Sequence, residues 1–254
     1  MMARGILWII LAVCALLFVG CSVAIIHPPS AATFMEKSDG AFLKSGSVSA
    51  YWGELIFSNK EALPKHKIKQ EVHEDWYYYE EENPVQIDFS FQRSIGFFKY
   101  GVGLDFVTPY VEAGFFSKYL GLMGWSNLFP WQYEKVNYKS LQWGGGISLI
   151  EQLPIGNNLR LGLTQHLSRN GREGRTYGDA AGGGFGIPTP TPVFYDEIGG
   201  GGYVSFVPGE KIRIGVEFRY GRDLTYKRVG KNYNGENVVR DINRYSITAS
   251  IMGW

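Results

Sequence analysis

The sequence predicts an all-β chain, an antiparallel up-and-down transmembrane barrel of about eight strands behind an N-terminal export segment. Three observations carry that prediction. Segments of about ten residues, the length of a tilted membrane-crossing strand, alternate strictly between apolar and polar side chains. Long and short connections alternate between those segments. The chain is also rich in Gly and aromatic residues without being hydrophobic on average: of 254 residues, 33 are Gly and 15% are aromatic, at a mean hydropathy of -0.12. That composition suits strands with one apolar and one polar face, and does not suit a bundle of apolar helices.

The clearest strand is Val85-Gln86-Ile87-Asp88-Phe89-Ser90-Phe91-Gln92, apolar at every odd position and polar at every even one. The same period of two runs through Tyr100–Phe106, Leu141–Leu149, Leu159–Thr164, Ile212–Tyr220 and Arg244–Ile251. Two less regular strands are expected over 46–57 and 197–207. Turns near Ile95–Phe98, Gln152–Asn158 and Pro208–Glu210 are short, whereas the stretches 58–84, 108–139, 169–196 and 223–240 are long. A β-sandwich has no reason to sort its connections this way, but an outer-membrane barrel does, with short periplasmic turns and long external loops. If residues 110–125 form a further hairpin, the count rises from eight strands to ten. The closing Met252-Gly253-Trp254 resembles the terminal aromatic assembly signal of this class, which implies the barrel-assembly machinery as a partner. Trp254 falls in register with the polar face of its strand.

In lipid the apolar face must point outward, so the polar set lines the lumen. That set includes Asp88, Lys99, Asp105 and Arg160, together with His166, Arg213, Glu217, Arg219 and Arg244. An eight-stranded barrel is only wide enough for side chains to fill, so mixed charges among Gly and Ser predict a plugged interior. A small-solute pore is the remaining alternative.

Ahead of the barrel, Arg4 and the apolar run Ile6–Val19 have the layout of a secretory signal, residues 1–20. Leu17-Phe18-Val19-Gly20-Cys21 resembles a bacterial lipobox. The resemblance implies cleavage before Cys21 and acylation there by palmitate-type chains. Ser22, in place of Asp, implies passage to the outer membrane. The other reading is an uncleaved helix, since the apolar character continues through Val23–Ile26. Residues 21–44, with Pro28-Pro29, read as a lipidated tether, and 45–254 as the barrel. The even rhythm of connections then puts both chain ends in the periplasm.

The formal net charge of +1 leaves no electrostatic footprint for nucleic acid. Both cysteines, Cys14 and Cys21, lie in the leader, so the body has no disulfide, thiol nucleophile or Cys metal site. No cofactor is expected. His66 and His73 lie beside acidic residues but match no metal-ligand spacing. The partners expected are outer-membrane lipid and, through loops 58–84 and 108–139, a surface ligand. The second of these loops holds Phe115, Phe116, Tyr119 and Trp125, which suit a headgroup-level girdle.

One pair has the makings of chemistry. His166 and Ser168 sit two apart on a strand, so imidazole and hydroxyl share a face, the minimum for a base and nucleophile. A His-x-Ser pair on a strand resembles outer-membrane phospholipase A and the lipid A 3-O-deacylases, over residues 161–172. The resemblance implies a lipid esterase; its orienting third residue has no matching motif here, and Asn170 and Asp179 are the candidates. Parity, however, puts the pair with Arg160 and Thr164 on the polar face, unless a bulge near Gln165 reverses it. The principal reading is therefore a structural or surface-interaction barrel, with the esterase as alternative.

Overall fold

The computed structural model describes residues 26–38, 41–53, 55–58, 77–80, 85–105, 108–128, 131–135, 138–176, 189–208, 212–224, 229–231, 237–239 and 243–253. Its wall is a closed antiparallel barrel of ten strands. In chain order these are β1 (Leu43–Trp52), β4 (Val85–Ile95), β5 (Phe98–Asp105), β6 (Thr108–Phe116) and β7 (Leu120–Asn127), then β9 (Tyr138–Ile155), β10 (Leu159–Thr176), β11 (Thr189–Phe206), β12 (Ile212–Asp223) and β15 (Asn243–Gly253). Each pairs with its neighbour in this order, and β15 returns to β1 through Trp52↔Tyr245 to Lys44↔Gly253. Closure removes the sheet edge that a membrane could not tolerate. Short strands extend the wall or its loops: β2 (Leu55–Ser58) with β3 (Tyr77–Glu80), β8 (Trp131–Lys135) on β9, and β13 (Val229–Lys231) with β14 (Asn237–Val239).

The barrel has two unlike mouths. At one, strands turn at Gly96-Phe97, Ser117–Tyr119, Gly156–Asn158 and 207–211. Gly96 and Gly156 take φ of 61° and 62°, the left-handed conformation that a tight hairpin requires. The strand ends that face the other mouth are separated in sequence by 53–84, 106–107, 128–137, 177–188 and 224–242, all but one of these stretches longer than any turn at the first mouth.

The count of ten agrees with the expectation of about eight strands rising to ten, and residues 110–125 supply the extra hairpin. Residues 108–127 are consequently wall, and not part of an external loop spanning 108–139. Their alternation was hidden because their lumen face carries large side chains, Tyr110, Phe116, Met123 and Trp125, all buried. Period-two reading looks for polar inside and apolar outside, and here large apolar side chains interrupt the polar lumen set of Thr108, Glu112 and Asn127.

Elsewhere the faces sort as the sequence implies. Outward positions such as Phe89, Val102, Ile147, Leu163, Val216 and Ile247 are 45–60% exposed, while the alternating partners on the same strands are buried. At the short-turn mouth the band is edged by Phe97, Phe98, Phe115 and Tyr119, with the Phe98 and Phe115 rings 5.4 Å apart. Toward the other mouth Tyr220 packs on Tyr245 at 5.4 Å, its hydroxyl donating to Asn243 Oδ1 at 2.7 Å. Aromatic rings thus edge the apolar band at both ends, the pattern expected of transmembrane-barrel girdles. On β10 the band ends at Arg169, whose guanidinium pairs with Asp196 at 2.8 Å and covers the Phe194 ring.

The lumen is filled by more than wall side chains. Residues 26–38, read from sequence as a tether, run inside the barrel and are almost wholly buried. They contain one helical turn, α1 (Ala31–Phe34), whose N-cap Ser30 accepts the Thr33 amide at 3.4 Å. The small pair Ala31-Ala32 lets the turn pass close to the wall, where Gly215 leaves room for Ala32. Gly121 does the same for Met35, since a Cβ there would stand 2.5 Å from its sulfur.

Candidate functional site

Every level of the lumen is tied to this N-terminal segment. At the short-turn mouth Ser38 and Ser94 exchange bonds: the Ser94 amide donates to Ser38 Oγ at 2.8 Å, and the Ser38 amide donates to Ser94 Oγ at 3.2 Å. One step inward, the Glu36 carboxylate accepts from Arg160 at 2.7 Å and lies 2.6 Å from Arg213 Nε. The Arg213 contact is a charge pair without hydrogen-bond alignment, because the same Nε has no aligned acceptor. Lys99, fully buried, spends its three ammonium donors on the carbonyls of Thr33, Phe34 and Glu36 at 2.6–2.9 Å. Its charge also lies 5.7 and 5.8 Å from the Phe34 and Phe116 ring centres. A lysine can be buried this way because the end of the α1 turn offers it three carbonyl acceptors.

Mid-lumen, Glu217 accepts the Ala31 amide at 3.1 Å and Arg219 Nε at 2.7 Å. Arg219 in turn donates to the carbonyls of Pro28 and Pro29. These prolines bring no donors of their own, so the segment offers acceptors to an arginine-rich wall. Further along, the His27 amide donates to Asp105 at 3.1 Å, and the Ile26 amide to Asn170 Oδ1 at 3.0 Å.

The densest polar group surrounds Glu197. His166 Nε2 donates to Glu197 Oε1 at 2.8 Å, while Tyr195 and Arg244 donate to Oε2 at 2.5 and 3.0 Å. Arg244 also reaches His27 Nε2 at 3.2 Å. A guanidinium has no lone pair, so this Nε2 must be the acceptor, and the His27 proton sits on Nδ1 facing Asp105 at 3.4 Å. Glycines make the space: a Cβ at Gly199 would meet the His166 ring at 2.3 Å, and one at Gly221 would meet Glu197 at 2.3 Å.

This placement answers where the His-x-Ser pair sits. His166 is buried on the lumen side, as its parity with Arg160 and Thr164 implies, and no bulge interrupts the β10 register from Leu159 to Gly171. Its ring bonds Glu197, and among the described residues Ser168 makes no hydrogen bond to it. Asn170 holds the lumen segment and does not touch His166. Asp179, Cys21, His66, His73 and Trp254 lie outside the described residues, as does most of the span 58–84. Of the interior residues read from sequence, Lys99, Asp105, Arg213, Glu217, Arg219 and Arg244 are buried, and Asp88 and Arg160 are half-buried. Glu36, Glu112, Tyr195 and Glu197 were missed. Glu112 accepts from Gln92 Nε2 at 2.6 Å and lies in the unread hairpin. Glu36 was hidden in the tether, where the one available signal was a capping serine ahead of small residues, Ser30-Ala31-Ala32. The described residues contain no cluster of three or more metal-ligating side chains. Chemically, a carboxylate held by three donors is a clamp, and Ser168 stands directly across from it in the β10–β11 register.

No protein-family model matches the chain, and no curated protein matches it. Among solved structures it is similar to Neisserial surface protein A, at 11% identity and a TM-score of 0.35 over 84% of this chain and 96% of that one. It is likewise similar to the N-terminal β-barrel domain of Pseudomonas aeruginosa OprF, at 9% and 0.30 over 82% and 96%. The outer membrane protease OmpT from Escherichia coli gives 11% and 0.32 over 84% and 96%. Likeness of this order says nothing of what the chain binds or catalyses.

Proposed function

We propose that the chain is an outer-membrane β-barrel with a structural or surface-interaction role, anchored by acylation of Cys21 and closed by its own N-terminal segment. The observation that carries this reading is the sorting of the wall: an uninterrupted apolar band outside, aromatic edges at both ends, and a lumen of charges paired around residues 26–38. Only a membrane rewards that inversion of the usual core and surface. A transport role is not favoured, because the ion pairs of Glu36 and the carbonyl cradle of Lys99 occupy the path a solute would take. Surface interaction belongs to the connections at the long-loop mouth, where strands of 18 residues such as β10 and β11 exceed the ~9–11 needed to cross the bilayer and project beyond it.

Purified protein in planar bilayers provides the test. The expected result is a silent membrane, together with a gel mobility shift between unheated and boiled samples. Steady unitary conductance overturns the closed lumen, and an absent mobility shift overturns the barrel.

A further inference from the structure

Residues 26–38 have a direction, and it conflicts with a periplasmic N-terminus. Ser38 is bonded to Ser94, one residue from the end of β4 at the short-turn mouth. Glu36 is bonded to Arg160, one residue into β10 from the same mouth. Ile26 is bonded to Asn170 on that same strand. Arg160 and Asn170 are separated by about 33 Å of strand at a rise of 3.3 Å per residue. Asn170 also lies beyond Leu167 and Arg169, where the outward apolar band of β10 ends. The chain therefore enters the lumen at the long-loop mouth and traverses its length. It leaves at the short-turn mouth, where β1 begins.

We infer that the mature N-terminus is displayed on the cell surface, with the acyl chains of Cys21 in the outer leaflet beside the long-loop mouth. The inference rests on the outer-membrane reading above. Cys21 precedes Ile26 by five residues, which reach at most ~18 Å when fully extended. The inner leaflet lies across an apolar band of about 25 Å, and the direct route back through the lumen is filled by the segment itself. The same geometry removes the uncleaved helix as an inner-membrane anchor. A helix over Ile6–Ile26 would end at a residue bonded to the outer rim of a different membrane. The lumen segment thus converts a periplasmic-side lipoprotein signal into a surface anchor, and the barrel must close around its own N-terminal chain.

The test uses the full chain expressed with its native leader. A short epitope is inserted between Ser22 and Val23, a second one in the turn Gly156–Asn158 of a separate variant, and antibody binding is read on intact and permeabilised cells. The expected result is labelling of the first on intact cells and of the second only after permeabilisation. Labelling of the first only after permeabilisation, in a protein that keeps its heat-dependent gel shift, overturns the inference and leaves the barrel reading standing. Loss of that shift in the untagged protein overturns the barrel reading itself. If the insertion alone abolishes the shift, Val23→Cys with a membrane-impermeant maleimide reads the same question: reaction on intact cells supports surface display, and protection overturns it. Mass analysis of the N-terminal peptide completes the assignment. An acylated Cys21 supports it, an unmodified N-terminus overturns the anchor, and a chain beginning at Met1 overturns the processing.

Discussion

Replacing Glu36 by Gln removes one negative charge from the point where the N-terminal segment is clamped to the wall. Its carboxylate is 4% exposed, lies 2.7 Å from Arg160 and 2.6 Å from Arg213, and has Lys99 bonded to its own carbonyl. Gln keeps the shape and one acceptor, so the change isolates charge from packing. Arg213 is 6% exposed and is left without its counter-ion, a situation that costs about 3–5 kcal/mol for a buried pair. Arg160 is 22% exposed and partly solvated, so its share is at most about 1 kcal/mol. Reversible urea unfolding in lipid vesicles measures the sum. At a denaturant slope of about 2 kcal/mol per molar, the midpoint falls by roughly 2 M. The double variant Glu36→Leu with Arg213→Met removes both partners together and is expected to recover most of the loss, since an apolar pair of similar volume is commonly neutral. A drop below about 1 kcal/mol in Glu36→Gln, smaller than any broken buried pair should give, refutes the placement of this segment in the lumen.

Other consequences follow from single contacts. Ser38→Cys with Ser94→Cys puts two thiols where hydroxyls now stand 3.1 Å apart; in the oxidising envelope they are expected to form a disulfide, and two free thiols in the folded protein would contradict the threading. Gly199→Ala drives a methyl to 2.3 Å from His166 and 2.5 Å from the Tyr220 carbonyl, and overpacking of this kind costs about 1–3 kcal/mol in the same urea assay. Leu163→Arg, at an outward position 60% exposed in the apolar band, is expected to lose about 2–4 kcal/mol in vesicles. An unchanged midpoint there would mean that this face does not meet lipid.

The faces of the wall were legible because a strand repeats every two residues, and lipid outside a polar lumen turns that repeat into a sequence pattern. Val85–Gln92 and Arg244–Ile251 declare their inward residues without any partner being known. The pattern failed at 108–127, where Tyr110, Phe116, Met123 and Trp125 line the lumen and interrupt its polar set. Those residues are inside because the N-terminal segment supplies an apolar surface there, with Phe34 edge-on to Phe116 at 6.5 Å.

His166 shows the two levels together. Its parity pointed to the lumen side and the unbroken β10 register decided it, but its partner Glu197 is 31 residues away, and only the register of β10 against β11 brings it within 2.8 Å. Local sequence thus determined the strand faces, the sorted connections and the polar lumen. The tertiary structure decided the ten-strand closure and the course of residues 26–38. In isolation that stretch is short, carries two prolines and has no partner surface against which to bury Ile26, Phe34 and Met35. It is ordered because Asn170, Asp105, Arg219, Glu217, Lys99, Arg160 and Ser94 converge on it from four strands, a convergence created only when the barrel closes.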